Sequence, residues 1–151
     1  MVDIQTYQIE TELVPGPIQY DILLPKRYQE LDIRFPLMLF LHGGGPRDHQ
    51  HLKNTGPRIW NMWEKEQIPE MVVVTPLCKR SMYMNYRDGS QKWESFIIND
   101  LLPHLQEKFR VYKDKENTFI GGISMGGTGP VYYLFTADTG INCRRYCSLL
   151  A

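Results

Sequence analysis

The apolar positions change period along the chain, and each change marks an element. Tyr7, Ile9, Thr11 and Leu13 alternate with Gln8, Glu10 and Glu12, and Ile18, Tyr20, Ile22 and Leu24 alternate again after Val14-Pro15-Gly16-Pro17. Alternation of period two is the pattern of a strand with one wet face, so two half-buried strands around a Pro-Gly turn predict an antiparallel hairpin. Phe35 to Leu41 does not alternate. A continuous apolar run of this length suits a central strand covered on both faces, and Met71-Val72-Val73-Val74 reads as a second. Asn117-Thr118-Phe119-Ile120 reads as a third buried strand. Strands are therefore expected near 36–41, 71–75 and 118–123, parallel and adjacent.

Helical spacing appears between these runs. Gly56-Pro57 is expected to open a helix with Pro57 as its first residue, because proline lacks an N–H that the first turn leaves unused anyway. Ile59, Trp60, Met62 and Trp63 give that helix an apolar face, and Glu64, Lys65 and Glu66 a polar one, so it should cover 58–67 with the tryptophans in the core. Trp93, Phe96, Ile97, Leu101, Leu105 and Phe109 recur at three and four residues and predict a helix over 91–108. Asp88 and Gln91 are candidates for its capping box, Pro103 should disturb its hydrogen bonds, and His104 is expected to be exposed.

The chemistry sits in the turns. Gly121-Gly122-Ile123-Ser124-Met125-Gly126-Gly127 follows the third run and precedes an apolar stretch, Thr128 to Phe135. Strand, Gly-x-Ser-x-Gly and helix in that order place a serine on a sharp turn, with glycines where side chains would collide. The serine then stands at a helix N-terminus, where free N–H groups stabilise negative charge. The plainer reading is a glycine-rich turn that packs closely or cradles a phosphate. No Gly-Lys-Ser/Thr follows, which excludes a P-loop, and the glycine spacing does not fit a dinucleotide fingerprint. Leu41 leads into His42-Gly43-Gly44-Gly45-Pro46, either a plain glycine-rich loop or an oxyanion loop paired with the later serine. In the second case His42 orders the loop by hydrogen-bonding its backbone. The aromatic and polar segment Ser81 to Ser90 should lie on the same sheet edge, since it too follows a strand C-terminus.

Length and charge narrow the field. The chain has 151 residues, as many basic as acidic side chains, and no run of like charge. One domain is expected, 1–151, with no nucleic-acid or membrane surface. No apolar stretch is long enough to span a bilayer, and the first residues lack the basic and apolar blocks of a signal peptide, so a cytoplasmic protein is expected. Cys78, Cys143 and Cys147 are read as free thiols rather than a disulfide framework or zinc site.

Taken together, hairpin, strand, His-Gly-Gly-Gly, helix, strand, aromatic loop, helix, strand and Gly-x-Ser-x-Gly resemble the α/β-hydrolase superfamily. Leu41 to Gly45, Trp93-Glu94-Ser95-Phe96, Asp100-Leu101-Leu102-Pro103 and Gly122 to Gly127 are similar to its Putative esterase family, which includes esterase D (S-formylglutathione hydrolase), feruloyl and acetyl xylan esterases and enterochelin esterases. The resemblance implies a three-layer α/β-hydrolase fold with a mostly parallel sheet and an N-terminal antiparallel hairpin. It implies Ser124 as nucleophile, and the N–H groups of Met125 and Gly44 as oxyanion hole. An acyl-enzyme mechanism on a small-molecule ester, with no metal and no organic cofactor, follows. The family order is serine, acid, histidine. The 27 residues after Ser124 hold no histidine and one carboxylate, Asp138, and His42, His49, His51 and His104 all precede the serine. Pro130 falls early in the expected elbow helix, and residues 136–151 form a tail unlike the family. The sequence therefore resembles a domain truncated after the elbow. Two readings stand: a serine ester hydrolase whose acid and histidine are missing from this chain, and a non-catalytic fragment or binding domain.

Overall fold

The computed structural model describes residues 2–46 and 50–128. His49, Asp138, Pro130, Cys143, Cys147 and the tail 136–151 lie outside the described residues. Five strands form one mixed sheet: β1 (Ile4–Ile9), β2 (Ile18–Leu23), β3 (Leu37–Leu41), β4 (Val72–Pro76) and β5 (Thr118–Gly122). Their spatial order is β1-β2-β4-β3-β5. The first two pair antiparallel with Tyr7 opposite Tyr20, and β2 meets β4 antiparallel. Strands β4, β3 and β5 are parallel, with Leu39 opposite Val74 on one side and Ile120 on the other. The three apolar runs thus form the parallel part of the sheet, with β3 between β4 and β5.

One face is covered by α1 (His51–Glu64), which seats Leu52 and Trp63 on Leu23 and Val73, with Met38 and Phe40 alongside. The other carries a longer helix, here α2, over residues 93–108. It begins with an α-turn (Trp93–Ser95), continues as π-helix (Phe96–Leu101) and ends as α-helix (Leu102–Lys108). Trp93, Phe96, Ile97, Leu101 and Leu105 pack on Tyr20, Ile22, Leu37, Leu39 and Leu41. The result is helix, sheet, helix in three layers.

Four expectations need correcting. First, α1 starts at His51, so Pro57 lies inside it and not at its head. Gly56 explains why the helix runs through: a Cβ there would stand 2.7 Å from the Ile4 Cδ1 and 3.7 Å from the Leu23 Cδ2, so this turn rests directly on β1 and β2. That contact holds the helix despite the hydrogen bond proline removes. Second, the first strand ends at Ile9, and β2 is covered on both faces; Asp21 and Leu23 are as buried as Tyr20 and Ile22, because α1 lies over their side. Third, Asp88 and Gln91 do not cap α2. Asp88 accepts from the Ser90 N–H (3.0 Å) and hydroxyl (2.7 Å), and Gln91 accepts from the Trp93 indole. Asn85 takes the capping role from a distance, its Oδ1 accepting from the Ser95 N–H at 3.1 Å. Fourth, His104 is half-buried, its Nε2 2.9 Å from the Tyr20 hydroxyl.

Pro103 acts through the winding that precedes it. An α-helical Asn99 carbonyl would meet the Pro103 ring and receive no N–H. In the π-segment the Leu102 N–H instead reaches back to the Ile97 carbonyl, a wider turn that relieves the crowding. Among the described residues no helix is long and apolar enough to cross a membrane.

His104 makes stability pH-dependent. Burial, then the neighbouring Lys108 charge, hold its pKa below the usual 6.5. The unfolded chain therefore binds the proton more readily, and the fold loses stability as pH falls from 6.5 toward the depressed value. Urea unfolding between pH 7.5 and 5 is expected to show a decline that His104→Gln flattens. An unchanged slope in the variant counts against this assignment.

Candidate active site

Strands β3, β4 and β5 run the same way, so the chain leaves all three at one edge. There the elbow and the glycine loop meet through main chain alone. Ser124 has φ +53°, in the left-handed region, and residues 125–128 begin a helix directly behind it. A non-glycine residue held there costs on the order of 1–3 kcal/mol and persists only where its surroundings fix it. The fixing is visible. The Ile123 N–H donates to the Leu41 carbonyl (3.2 Å), and the Gly126 and Gly127 N–H groups close the turn on the Ile123 and Ser124 carbonyls (both 2.9 Å). A Cβ at Gly122 would stand 2.3 Å from the Leu41 oxygen, and one at Gly126 2.2 Å from the same atom. The end of β3 is thus gripped between the two glycines, which sets the spacing between the serine and the loop that follows Leu41.

Gly43 is the next point of contact. Its Cβ position lies 3.6 Å from the Ser124 Cβ, and that of Gly44 3.6 Å from the Met125 Sδ. Ser124 is exposed, with the glycine loop against its flank. Among the described residues no hydrogen bond engages the Ser124 hydroxyl, nor the N–H of Met125 or Gly44.

His42 is buried under this loop. The Cys78 N–H donates to its Nε2 at 3.0 Å, so the proton sits on Nδ1, which donates to the Gly43 carbonyl at 2.6 Å. That bond fixes the Gly43–Gly44 peptide plane, and with it the direction of the Gly44 N–H. With both ring nitrogens engaged, His42 has no site left to take a proton from Ser124. His104 is bonded to Tyr20 on β2, three strand positions from β5, or roughly 14 Å. His51 heads α1 with its ring 4.6 Å from that of Phe40. Burial raises the Cys78 thiol pKa far above its ordinary range, which keeps it inert.

The segment after β4 holds the assembly together, and sequence reasoning placed it on this edge without finding its contacts. The buried Tyr83 donates its hydroxyl to the His42 carbonyl (3.1 Å) and sets its ring edgewise on the imidazole. Arg80 Nε donates to the Gly44 carbonyl (2.7 Å), and the Met82 N–H points at the Met125 Sδ (3.4 Å). Lys79, Met82 and Tyr83 all have positive φ, between 49° and 56°. These partners are 36 to 43 residues apart in sequence, so no local pattern announces them. Tyr83→Phe keeps the ring and removes the donor. A loss of about 1 kcal/mol is expected, read as a melting temperature lower by a few degrees; no change would show that the hydroxyl is not needed.

Among the described residues no cluster of three or more His, Cys, Asp or Glu side chains could hold a metal ion. The arrangement offers instead a strained, exposed hydroxyl, free N–H groups at a helix start, and a glycine loop beside them.

Known proteins share this fold. The chain is 28% identical over 131 residues to an esterase of Mycobacterium tuberculosis, covering 84% of this chain and 28% of that protein. It superposes on a ferulic acid esterase of Anaeromyces mucronatus with a TM-score of 0.73 at 18% identity, covering 93% of this chain and 56% of the other. For a fluorophosphonate-binding serine hydrolase of Staphylococcus aureus the TM-score is 0.74 at 17% identity, covering 93% and 54%. The chain thus spans little more than half of these structures, and about a quarter of the mycobacterial protein. The model of the Putative esterase family matches residues 11–139. With its α/β-hydrolase architecture of hairpin, parallel strands and flanking helices, the chain belongs to the Putative esterase family.

Proposed function

We propose that this chain carries the nucleophile and oxyanion half of a serine carboxylic-ester hydrolase acting on small-molecule esters. Ser124 attacks the ester carbonyl, the Met125 and Gly44 N–H groups receive the oxyanion, and His42 orders the glycine loop. The observation that carries this reading is Ser124 at φ +53°, exposed at the start of a helix, with Gly43 packed against its Cβ. A glycine-rich turn built only for close packing gives no reason to hold an exposed serine in that region.

In the proposed reaction the Ser124 oxygen bonds to the acyl carbon as its proton leaves, and charge gathers on the former carbonyl oxygen. Two fixed N–H donors are worth several kcal/mol there, since removal of one such donor costs about 3–4 kcal/mol. The intermediate collapses by expelling the alcohol and leaves an acyl-Ser124 ester, which water then cleaves. Proton removal and deacylation both need a base, and among the described residues none hydrogen-bonds to the Ser124 hydroxyl.

A fluorophosphonate probe tests the nucleophile apart from turnover. Folded chain is expected to gain one adduct, on Ser124, faster than the urea-unfolded chain, and Ser124→Ala none. Equal rates for folded and unfolded chain would favour the binding-domain reading.

A further inference from the structure

The guanidinium of Arg80 is placed as if to read a charge, and its position follows from three contacts. The residue before it, Lys79, is left-handed (φ +49°) and turns the chain back toward the glycine loop. The side-chain stem then lies over Gly44, with Cγ 3.9 Å from the position a Cβ would take there. Finally Nε donates to the Gly44 carbonyl at 2.7 Å. The head group is thereby fixed along the same loop whose neighbouring glycine touches Ser124. Among the described residues only one of its five N–H donors is used, and no carboxylate or carbonyl engages either Nη. Arg80 is exposed, so these donors are open to solvent beside the glycine loop. Met82, two residues on, and Ile123, next to the serine in sequence, are exposed and apolar, and Lys79 adds a second positive charge.

We propose that Arg80 is a specificity-determining residue, and that this site takes esters bearing a carboxylate on the group that lies along the glycine loop. This rests on the ester-hydrolase reading above. A guanidinium presents two parallel N–H donors that match the two oxygens of a carboxylate, a match an ammonium cannot make. Because Nε holds the Gly44 carbonyl, a carboxylate bound at Nη1 and Nη2 would also restrain the Gly44–Gly45 peptide. Anion binding and ordering of the glycine loop are then one event. A neutral ester leaves the charged fork empty and gains neither effect.

Binding tests the idea without requiring turnover. The Ser124→Ala chain is titrated with monomethyl glutarate and with dimethyl glutarate, followed by amide NMR. The half-ester is expected to shift the Gly44 and Arg80 amides and to bind at least tenfold more tightly than the diester, with the gap narrowing as salt screens the charge. Arg80→Gln should abolish the preference, and Arg80→Lys, which keeps charge without the fork, should retain only part of it. Equal affinity for the two esters, or a preference that survives Arg80→Gln, overturns the proposal. The probe on Ser124 is scored separately: labelling without anion preference removes only the role of Arg80, and anion preference without labelling removes only the hydrolase reading. Arg80 is exposed, so amide spectra that superpose away from the loop confirm that each variant is folded.

Discussion

Gly126→Ala is expected to unfold the elbow with one methyl group. The added carbon would stand 2.2 Å from the Leu41 oxygen, 2.6 Å from the Leu41 carbonyl carbon and 2.8 Å from the His42 oxygen. All three are main-chain atoms at the end of an inner strand, hydrogen-bonded on both sides, and they cannot step aside as a side-chain tip can. Gly122→Ala meets the same oxygen at 2.3 Å and the Gly126 oxygen at 2.6 Å. Clashes of this kind belong to the severe class of single substitutions, about 4 kcal/mol or more, which in a domain of this size lowers the melting temperature by roughly 10 °C or more. Gly43→Ala is the control. Its nearest neighbours would be at 3.5 and 3.6 Å, ordinary contact distances, so its melting temperature should stay close to that of the parent. A Gly126→Ala chain that melts within two or so degrees of the parent would show that the elbow is not gripped as described.

The difference between these glycines also explains what could be read from the sequence. Gly122, Ser124 and Gly126 are legible because a sharp strand-to-helix turn constrains its own residues at fixed offsets. Leu37 to Leu41 and Val72 to Val74 are legible because strands buried on both faces cannot alternate. Local rules fail where a distant partner decides. Gly56-Pro57 looks like the opening of a helix, yet β1 and β2 hold that turn from outside, and the helix begins six residues before the proline. Asp88 and Gln91 carry the right spacing for a cap, but Asn85 reaches the helix first through its bridge to Lys92. The network joining Cys78, Arg80 and Tyr83 to His42 and Gly44 is wholly non-local. Its one sequence trace is the position of the segment just after a strand of the same parallel set.

On simple esters this 151-residue chain is expected to turn over scarcely faster than its Ser124→Ala variant. Serine at its ordinary pKa is a poor nucleophile, and a partner within hydrogen-bond reach must take its proton. No hydrogen bond reaches the Ser124 hydroxyl among the described residues. His42 spends one nitrogen on the Gly43 carbonyl and the other on the Cys78 N–H, and His104 is bonded to Tyr20 on β2, three strand positions from β5. In the proposed mechanism what remains is oxyanion stabilisation and binding, which in serine hydrolases leave about 10³–10⁴ over water when the triad is broken. Deacylation is the harder step, because a bound acyl group must be released to water with no base to activate it. With p-nitrophenyl acetate, at most one equivalent of nitrophenol should appear quickly from the parent chain, and none from Ser124→Ala. The steady rates of the two should then coincide. Added imidazole supplies the missing base from solution, so after background correction it should raise the steady rate of the parent and not of the variant. Robust steady turnover in the parent without imidazole, lost in Ser124→Ala, would sink this expectation. It would place a replacement base at His49 or His51, the two histidines that follow the glycine loop and that His42 and His104 leave as candidates. Separate His49→Gln and His51→Gln variants would then identify it by which one removes the turnover.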